Sequence, residues 1–195
     1  MVLKLRYGNT NTYFVRGAQG GILVDTDWAG TLPGFYRALK ANQLPMEEIS
    51  YVLATHYHPD HMGLISQLMQ QGVRLLLLDV QKEAVHFSDP VFARDRHLHY
   101  QPIREEEAIL ISCKESRDFL QKLGIHGEIL HTPGHSEDSV SLLLDDGTDI
   151  VGDLDPLPYM EAYPPEDPRQ ESWKQILSHN PRRIFYAHAN EQVLG

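Results

Sequence analysis

The pattern of apolar and polar positions predicts a chain in which strands come first and helices then mix with strands twice over. Residues 1–25 show the period of two that is typical of strands, with turns between them. Apolar residues recur at helical spacing in residues 32–42 and again around 64–69, where Gly72 ends the segment. Further short apolar runs predict strands at residues 51–54, 75–78, 125–130, 140–144, 148–151 and 183–186 and helices at 116–123 and 170–178.

Two segments lack a clear period and are interpreted as irregular. Residues 87–107, which follow a further helical start at 81–86, are rich in His, Arg and Pro and are interpreted as a loop or lid. Residues 155–168 contain five prolines. The order of the remaining elements suits two sheets with helices outside them, an α/β sandwich.

Composition and charge exclude or disfavour several classes of binding partner and site. Lys+Arg 17 against Asp+Glu 27 gives a net charge of −10, which disfavours a nucleic-acid or anionic membrane partner. The single cysteine, Cys113, excludes an internal disulfide and a cysteine-based metal site, and we interpret it as a small core residue. The length of 195 residues predicts one domain over 1–195. No membrane-spanning run and no secretory signal is visible, so a cytoplasmic location is expected.

The strongest chemical signal follows the strand predicted at residues 51–54. The motif His56-x-His58-x-Asp60-His61 supplies imidazole nitrogens and a carboxylate, which zinc and iron accept without thiolates. Residues two apart on an extended loop point the same way, so His56 and His58 can bind one ion. Asp60 and His61 lie one step further along and can face a second ion. Loops just past a strand end often carry functional residues.

Four ligands cannot complete two metal sites, so further ligands are expected later in the chain. Three candidates stand after or between strand-like segments: His135 in Thr-Pro-Gly-His, Asp153 in Val-Gly-Asp and His188 in Tyr-Ala-His. Gly134 and Gly152 permit tight backbone bends beside two of them.

Together these motifs resemble the metallo-β-lactamase superfamily, over most of the chain from the first strands to His188. The chain looks like a compact, glyoxalase II-like metallohydrolase without that enzyme's C-terminal helical domain. The resemblance implies a four-layer αββα sandwich with a two-metal site at one sheet edge. It also implies the ligands, which are His56, His58 and His135 for the first metal, Asp60, His61 and His188 for the second, and Asp153 as the bridge.

The function that this resemblance implies is a dinuclear metal-dependent hydrolase with a small-molecule substrate. Two divalent ions are expected, zinc first, with iron or manganese as the other candidates. Metal-bound hydroxide would attack an ester, thioester or lactone carbonyl, since zinc lowers the pKa of a bound water to about 7. Asp60 or Asp153 would pass a proton to the leaving group. The oligomeric state stays open.

Two other activities of the superfamily remain alternatives, a mononuclear iron dioxygenase for persulfides and a phosphodiesterase. The nearly shared ligand set does not exclude the dioxygenase, whereas the acidic charge disfavours the nuclease branch. β-Lactam cleavage is not expected, because Asp153 stands where many β-lactamases carry a cysteine ligand. Pro156 occupies the position at which the lactonases usually place a tyrosine, and Tyr159 is near but out of register.

Other residues are candidates for supporting roles. Asp25, at the end of an N-terminal strand, is a candidate to support the ligands from behind. The six histidines outside the ligand set are interpreted as surface or supporting groups. Aromatic residues of the loops are candidate pocket walls: Trp28, Phe87, Phe92, Tyr100, Tyr159 and Tyr163.

Overall fold

In the computed structural model, which describes residues 1–194, the first part of the chain forms a six-stranded sheet. Its strands lie side by side in chain order: β1 (Val2–Arg6), β2 (Asn11–Gly17), β3 (Gly20–Val24), β4 (Ile49–Leu53), β5 (Arg74–Leu78) and β6 (Ile109–Ile111). The first three strands pair antiparallel, and β3 to β6 pair parallel. Parallel neighbours need crossover connections, which the chain supplies as helical segments.

The second part of the chain forms a five-stranded sheet. Its strands are β7 (Gly127–His131), β8 (Val140–Leu144), β9 (Thr148–Ile150), β10 (Arg183–Phe185) and β11 (Gln192–Val193), in the spatial order β11-β10-β9-β8-β7. Strands β9 and β10 pair parallel, and the other neighbours pair antiparallel.

The helices are short and connect the strands. They are α1 (Leu32–Ala41), α2 (Pro59–Met62), α3 (Ile65–Met69), α4 (Asp89–Phe92), α5 (Ser116–Lys122) and α6 (Pro168–Ser178). Turns of 3₁₀ helix lie at Met46–Glu48, Asp79–Ala84, Arg96–Leu98, Glu105–Glu107, Cys113–Glu115 and Leu157–Ala162. None of the helices in residues 1–194 has the length and apolar character needed to cross a membrane.

Alternate residues along the strands pack into different layers. In β4, Tyr51 and Leu53 face the second sheet, whereas Val52 packs on the opposite side with residues of α1 and α3. In β8, Leu142 faces the first sheet and Leu143 packs with residues of α6. Burial of each such side chain contributes about 1.5–3 kcal/mol by its removal from water. The layers are helices, sheet, sheet and helix, which confirms the predicted αββα sandwich.

The predicted elements are found with small shifts, and the differences are confined to short or irregular segments. Strands β6 and β11 were not predicted, because three and two residues are too few to show a period. The segment 87–107 contains α4 and two 3₁₀ turns, and the proline-rich segment 155–168 contains the turn Leu157–Ala162. The helix expected from residue 81 is a 3₁₀ helix, Asp79–Ala84.

The parallel strands bring several chain segments to one edge of the first sheet. Strands β3, β4 and β5 run in the same direction, so the segments that follow them begin side by side. The backbone N–H of Asp25, just after β3, donates to Leu53 O at 2.8 Å. The loop after β4 meets the second sheet where Val140 N donates to Thr55 O at 2.8 Å. This edge is therefore shared by both sheets.

Candidate metal centre

A first group of three imidazoles forms at this shared edge. The Nε2 atoms of His56 and His135 each lie 3.0 Å from His58 Nδ1. His56 and His58 come from the loop after β4, and His135 comes from the loop between β7 and β8. Two nitrogens bound to one tetrahedral zinc ion at 2.0–2.1 Å would be roughly 3.3 Å apart, so the spacing suits a shared ion.

A second group lies beside the first and combines a carboxylate with two imidazoles. His188 Nε2 lies 3.1 Å from Asp60 Oδ2, and His61 Nε2 lies 3.9 Å from Asp60 Oδ1. Helix α2 begins at Pro59, directly after the first-group ligand His58, and turns the chain so that Asp60 and His61 belong to this second group.

Asp153 stands between the two groups and contacts both. Its Oδ2 lies 3.9 Å from His56 Nε2 and 3.5 Å from His135 Nε2. The same oxygen lies 3.4 Å from His61 Nε2, and Oδ1 lies 3.5 Å from His188 Nε2. The structure thus brings all seven predicted ligand residues into one cluster, with the carboxylate in the middle.

Buried polar atoms in this cluster lack partners. Both ring nitrogens of His61 and Oδ1 of Asp153 are buried and make no aligned hydrogen bond within residues 1–194. A buried polar group without a partner costs about 1–3 kcal/mol. His61 Nδ1 faces the Asp25 carboxylate at 3.1 Å, whereas a divalent cation would satisfy His61 Nε2 and Asp153 Oδ1, so the residues fit a metal site.

The histidines of the cluster differ in charge. Burial lowers the pKa of His56 well below its usual range, and the neighbouring imidazoles lower it further, so His56 is neutral and its lone pair can bind a cation. Burial alone would also lower the pKa of His61, but the carboxylates of Asp25 and Asp153 outweigh it and raise the pKa to about 10. A cation at His61 therefore has to displace a proton.

Both carboxylates of the cluster are held ionised. Burial by itself would raise the pKa of Asp60, but the hydrogen bond from His188 and the charge of His61 lower it to about 2. The pKa of Asp153 is also lowered, because the contact with His61 Nε2 at 3.4 Å and the charge of His61 outweigh burial. At neutral pH each offers charged oxygens for a cation or a proton.

Asp25 supports the cluster from behind, as its position after β3 predicts. Its Oδ2 lies 3.1 Å from His61 Nδ1, and its Oδ1 accepts hydrogen bonds from Thr55 N at 2.7 Å and Thr55 Oγ1 at 3.0 Å. Asp25 has a left-handed backbone with φ 61°, a conformation that costs about 1–3 kcal/mol and often occurs at functional sites. This contact orients the ring of His61.

Two buried residues that the sequence analysis did not identify shape the ligand loop after β4. Asp138 Oδ2 accepts a hydrogen bond from the backbone N–H of Tyr57, which lies between two ligands, at 2.7 Å. Gln81 Nε2 donates to Ala54 O at 2.9 Å and to Asp138 O at 3.2 Å. No motif marks these residues, because their partners are distant in sequence.

Asn11, also not identified from the sequence, holds the segment that carries His188. Its Nδ2 donates to Tyr186 O at 3.0 Å and to Ala189 O at 3.2 Å, and its backbone N–H donates to Ala187 O at 2.8 Å. Strand β2 thus fixes the last ligand from a position far away in the chain.

An open cleft of about 370 Å³ adjoins the cluster. Its lining includes Asp153, His188, Pro156 and Tyr159, and the Tyr159 side chain is 60% exposed. Of the predicted pocket walls, Tyr159 alone lines this cleft among the described residues.

The other predicted pocket walls lie elsewhere. Phe92 is buried against Trp28 and Tyr100, with ring centroids 5.2 and 4.3 Å away. Phe87 is largely exposed, and Tyr163 stacks under a guanidinium group. Phe92 and Tyr100 line a second cleft of about 400 Å³, within the segment predicted as a lid.

Comparison with known proteins identifies the family. The family model described as the metallo-β-lactamase superfamily matches residues 5–188. A curated relative named Beta-lactamase-like protein 2 homolog, from Drosophila melanogaster, is 28% identical over 95% of this chain and 61% of its own length. An atrochrysone carboxyl ACP thioesterase from Claviceps purpurea is 26% identical over 76% of this chain and 42% of its own. The chain thus spans less than two thirds of these relatives.

Solved structures show the same fold. A protein designated TTHA1623, solved in a di-iron-bound form, superposes with a TM-score of 0.68 at 21% identity and covers 99% of this chain and 94% of that one. At that identity the likeness concerns the fold alone. Because the family model extends over nearly the whole length, from β1 to the last candidate ligand, the chain belongs to the metallo-β-lactamase superfamily.

Proposed function

We propose that this protein is a metal-dependent hydrolase with a two-ion centre. The observation that carries the proposal is the position of Asp153, whose carboxylate lies within 3.9 Å of histidines from both groups. Its two oxygens can therefore serve two ions at once. One ion would be held by His56, His58 and His135, the other by Asp60, His61 and His188, and Asp153 would bridge them.

The proposed chemistry divides between the ions and the chain. Zinc, or iron or manganese with the same donors, supplies Lewis-acid polarisation of a carbonyl oxygen and acidifies a water when bound. The chain contributes two ionised carboxylates at the same place. Histidine contacts lower the pKa values of Asp60 and Asp153 and so keep both carboxylates ionised, and an ionised carboxylate at this place can carry a proton to the leaving group.

We propose a small-molecule ester, thioester or lactone as the substrate. The cleft beside Asp153 and His188 is open and has the volume of a small-ligand site. Tyr159 offers it an aromatic face and a hydroxyl group. One relative carries the name of a thioesterase, which is acyl chemistry. The net charge of −10 argues against nucleic-acid or membrane partners.

The proposal is tested by metal analysis and a substrate panel. Purified protein is analysed for metal, stripped with a chelator, reloaded with Zn²⁺, and assayed on thioesters, lactones, phosphodiesters and β-lactams. We expect two ions per chain and hydrolysis of an acyl substrate that is lost on stripping and restored on reloading. Equal activity of stripped and reloaded protein would contradict the proposal. One iron per chain with oxygen consumption on a persulfide would support the dioxygenase instead.

A matched pair of histidine variants compares a candidate ligand with a histidine at an exposed position. His58→Ala removes the nitrogen that both other members of the first group approach, so it should lose at least one ion. His97→Ala, at an exposed position in the segment predicted as a lid, should keep both ions and full activity. Equal metal content in the two variants would remove His58 from the ligand set.

A further inference from the structure

Two of the ligand loops rest on the N-terminal part of α6. In the loop that carries His135, Pro133 O accepts a hydrogen bond from Ser172 Oγ at 2.7 Å. In the loop that follows the bridging aspartate, Asp155 O accepts one from Trp173 Nε1 at 2.9 Å. Ser172 and Trp173 are both buried. One helix is therefore fastened to two loops of the candidate metal centre.

Arg169, in the first turn of α6, lies between these two loops. Its Nη1 donates to Asp155 Oδ2 at 2.9 Å, two residues past the bridging aspartate. Its aliphatic stem covers Gly134, since a Cβ at Gly134 would lie 2.3 Å from Arg169 Cγ and 3.2 Å from Arg169 N. Arg169 thus contacts the residue just before one ligand and the residue two positions after another.

The guanidinium group of Arg169 is itself oriented from two sides. Its Nε and Nη2 donate to the carboxylate of Asp167 at 2.8 and 2.7 Å. The group lies 3.6 Å from the centre of the Tyr163 ring, and Tyr163 Oη donates to Asp155 Oδ2 at 3.1 Å. A planar guanidinium can bridge two carboxylates and stack on a ring together, which the compact ammonium of lysine cannot do.

His135 depends on such an anchor more than His56, the buried ligand of the first group. The side chain of His135 is 32% exposed, whereas that of His56 is 1% exposed and is fixed by packing. The position of an exposed ring is set by its loop, and this loop rests on α6. The distance of 3.5 Å between His135 Nε2 and Asp153 Oδ2 therefore depends on what holds the two loops together.

We infer that Arg169 is a positioning residue that joins the Gly134 and Asp155 segments and thereby sets the separation of His135 and Asp153. The inference rests on the proposed two-ion centre. The first ion would be bound by both His135 and Asp153. The second ion would be bound by Asp153 but not by His135. Loss of the guanidinium should therefore weaken the binding of the first ion by about 10–100-fold, the usual effect of mutating a residue that supports metal ligands. The affinity for the second ion should stay close to that of the wild type.

The test measures zinc affinity, with Arg117 as the control. Arg117 also bridges two carboxylates, Asp145 at 3.0 Å and Glu128 at 2.8 Å, but contacts no ligand loop. Metal-free wild type, Arg169→Met, Arg169→Lys and Arg117→Met are titrated with Zn²⁺ against a chromophoric chelator, and each metal-free protein is unfolded in urea. We expect one raised dissociation constant in both Arg169 variants and wild-type constants in Arg117→Met.

Each outcome decides between the inference and the proposed function. If both dissociation constants of Arg169→Met are unchanged, the inference is wrong. It is also wrong if both ions bind equally more weakly and the metal-free protein loses more stability than Arg117→Met does. If Arg169→Met does not fold, Arg169→Lys decides by the same constants. If the wild type binds one ion, the two-ion proposal fails, and the inference stands only if that single constant rises in the Arg169 variants. If the wild type binds none, both fail.

Discussion

The candidate ligands are held in different ways, and the difference follows their burial. His56 and His61 lie within the core, where packing and the carboxylate of Asp25 restrict their rings. His135 and His188 are partly exposed, so their positions depend on hydrogen bonds to their loops from other parts of the chain. Residues behind an exposed ligand therefore act on its position through the backbone, and residues behind a buried ligand act on the ring itself.

The contact between Asp25 and His61 gives a first prediction. Asp25→Asn keeps the shape of the side chain but removes the charge that faces His61 Nδ1 at 3.1 Å. We expect zinc at the second group to bind about 10–100-fold more weakly, measured by chelator competition. Asp145→Asn is the control, because Asp145 also pairs with a basic side chain, Arg117 at 3.0 Å, but lies in the turn after β8, at the opposite end of that strand from the ligand loops. Equal weakening in both variants would contradict a role for the Asp25 charge.

The buried carboxyl group of Asp149 should make the stability of the protein depend on pH, independently of the candidate metal centre. It is 1% exposed on β9, opposite the apolar Leu143 and Ile184, and burial raises its pKa to about 7. The folded state therefore keeps a proton that the unfolded chain releases near pH 4. The unfolded state binds fewer protons over this interval, so stability falls as the pH rises from about 4 to about 7 and then levels off.

Asp149→Asn should remove this fall in stability. Relative to wild type, the free energy of unfolding of the metal-free variant should rise by about 2–4 kcal/mol between pH 4 and pH 8, because one pKa unit corresponds to about 1.4 kcal/mol. Urea unfolding at a series of pH values measures it. Asp118→Asn, at an exposed position on α5, should show no such rise. If the difference in the free energy of unfolding between Asp149→Asn and wild type does not change with pH, Asp149 is ionised in the folded state.

At the scale of elements, strand ends and short turns build the centre. The motif after β4 serves both groups because α2 begins at Pro59 and redirects the chain within one turn. Gly152, with φ 58°, lets the chain bend tightly before Asp153, and a Cβ there would lie 2.5 Å from Thr55 Oγ1. These loops project from two sheets whose facing surfaces form one apolar layer, and each group takes ligands from both sheets, so the packing of the sheets fixes the distances within each group.

Packing between the sheets should therefore matter more than packing at their edges. Leu142→Ala on β8, in the layer between the sheets, should lower the free energy of unfolding by about 2–5 kcal/mol through loss of burial and a cavity. Leu110→Ala on the edge strand β6, where the side chain is 51% exposed, should change it by less than about 0.5 kcal/mol. Denaturant unfolding of the metal-free proteins compares them, and similar losses would show that the inter-sheet layer tolerates a cavity.

At the scale of the whole molecule, the candidate ligands join the two halves of the chain. His56, His58, Asp60 and His61 come from the first sheet, and His135, Asp153 and His188 come from segments of the second. Bound ions would link the two sheets at their shared edge. A ligand that binds only the folded state stabilises it, so metal binding and global stability should be coupled.

Removal of metal should lower the melting temperature. With free Zn²⁺ at a thousand times its dissociation constant, the folded state gains about 4 kcal/mol per ion. At about 2–4 °C per kcal/mol for a chain of this size, this corresponds to a shift of about 8–16 °C for one ion. Thermal unfolding with chelator, with Zn²⁺ and with Mg²⁺ measures it, and Mg²⁺, which prefers oxygen donors, should restore little. An unchanged melting temperature in zinc would mean that no ion links the sheets.

The sequence by itself determined the layers and the ligand types. Local periodicity is enough to identify long strands and helices, and HxHxDH, TPGH and GD carry their chemistry within a few neighbouring residues. The family resemblance of these motifs already implied the two ligand groups and Asp153 as their bridge. Tertiary structure alone decided the distances among these residues and which others hold them, such as Asn11, Gln81 and Arg169. These contacts join positions as far apart as Asn11 and Tyr186. Such residues meet only when the two sheets pack, so no local sequence pattern reveals the contact. The short strands β6 and β11 depend on their neighbours for the same reason.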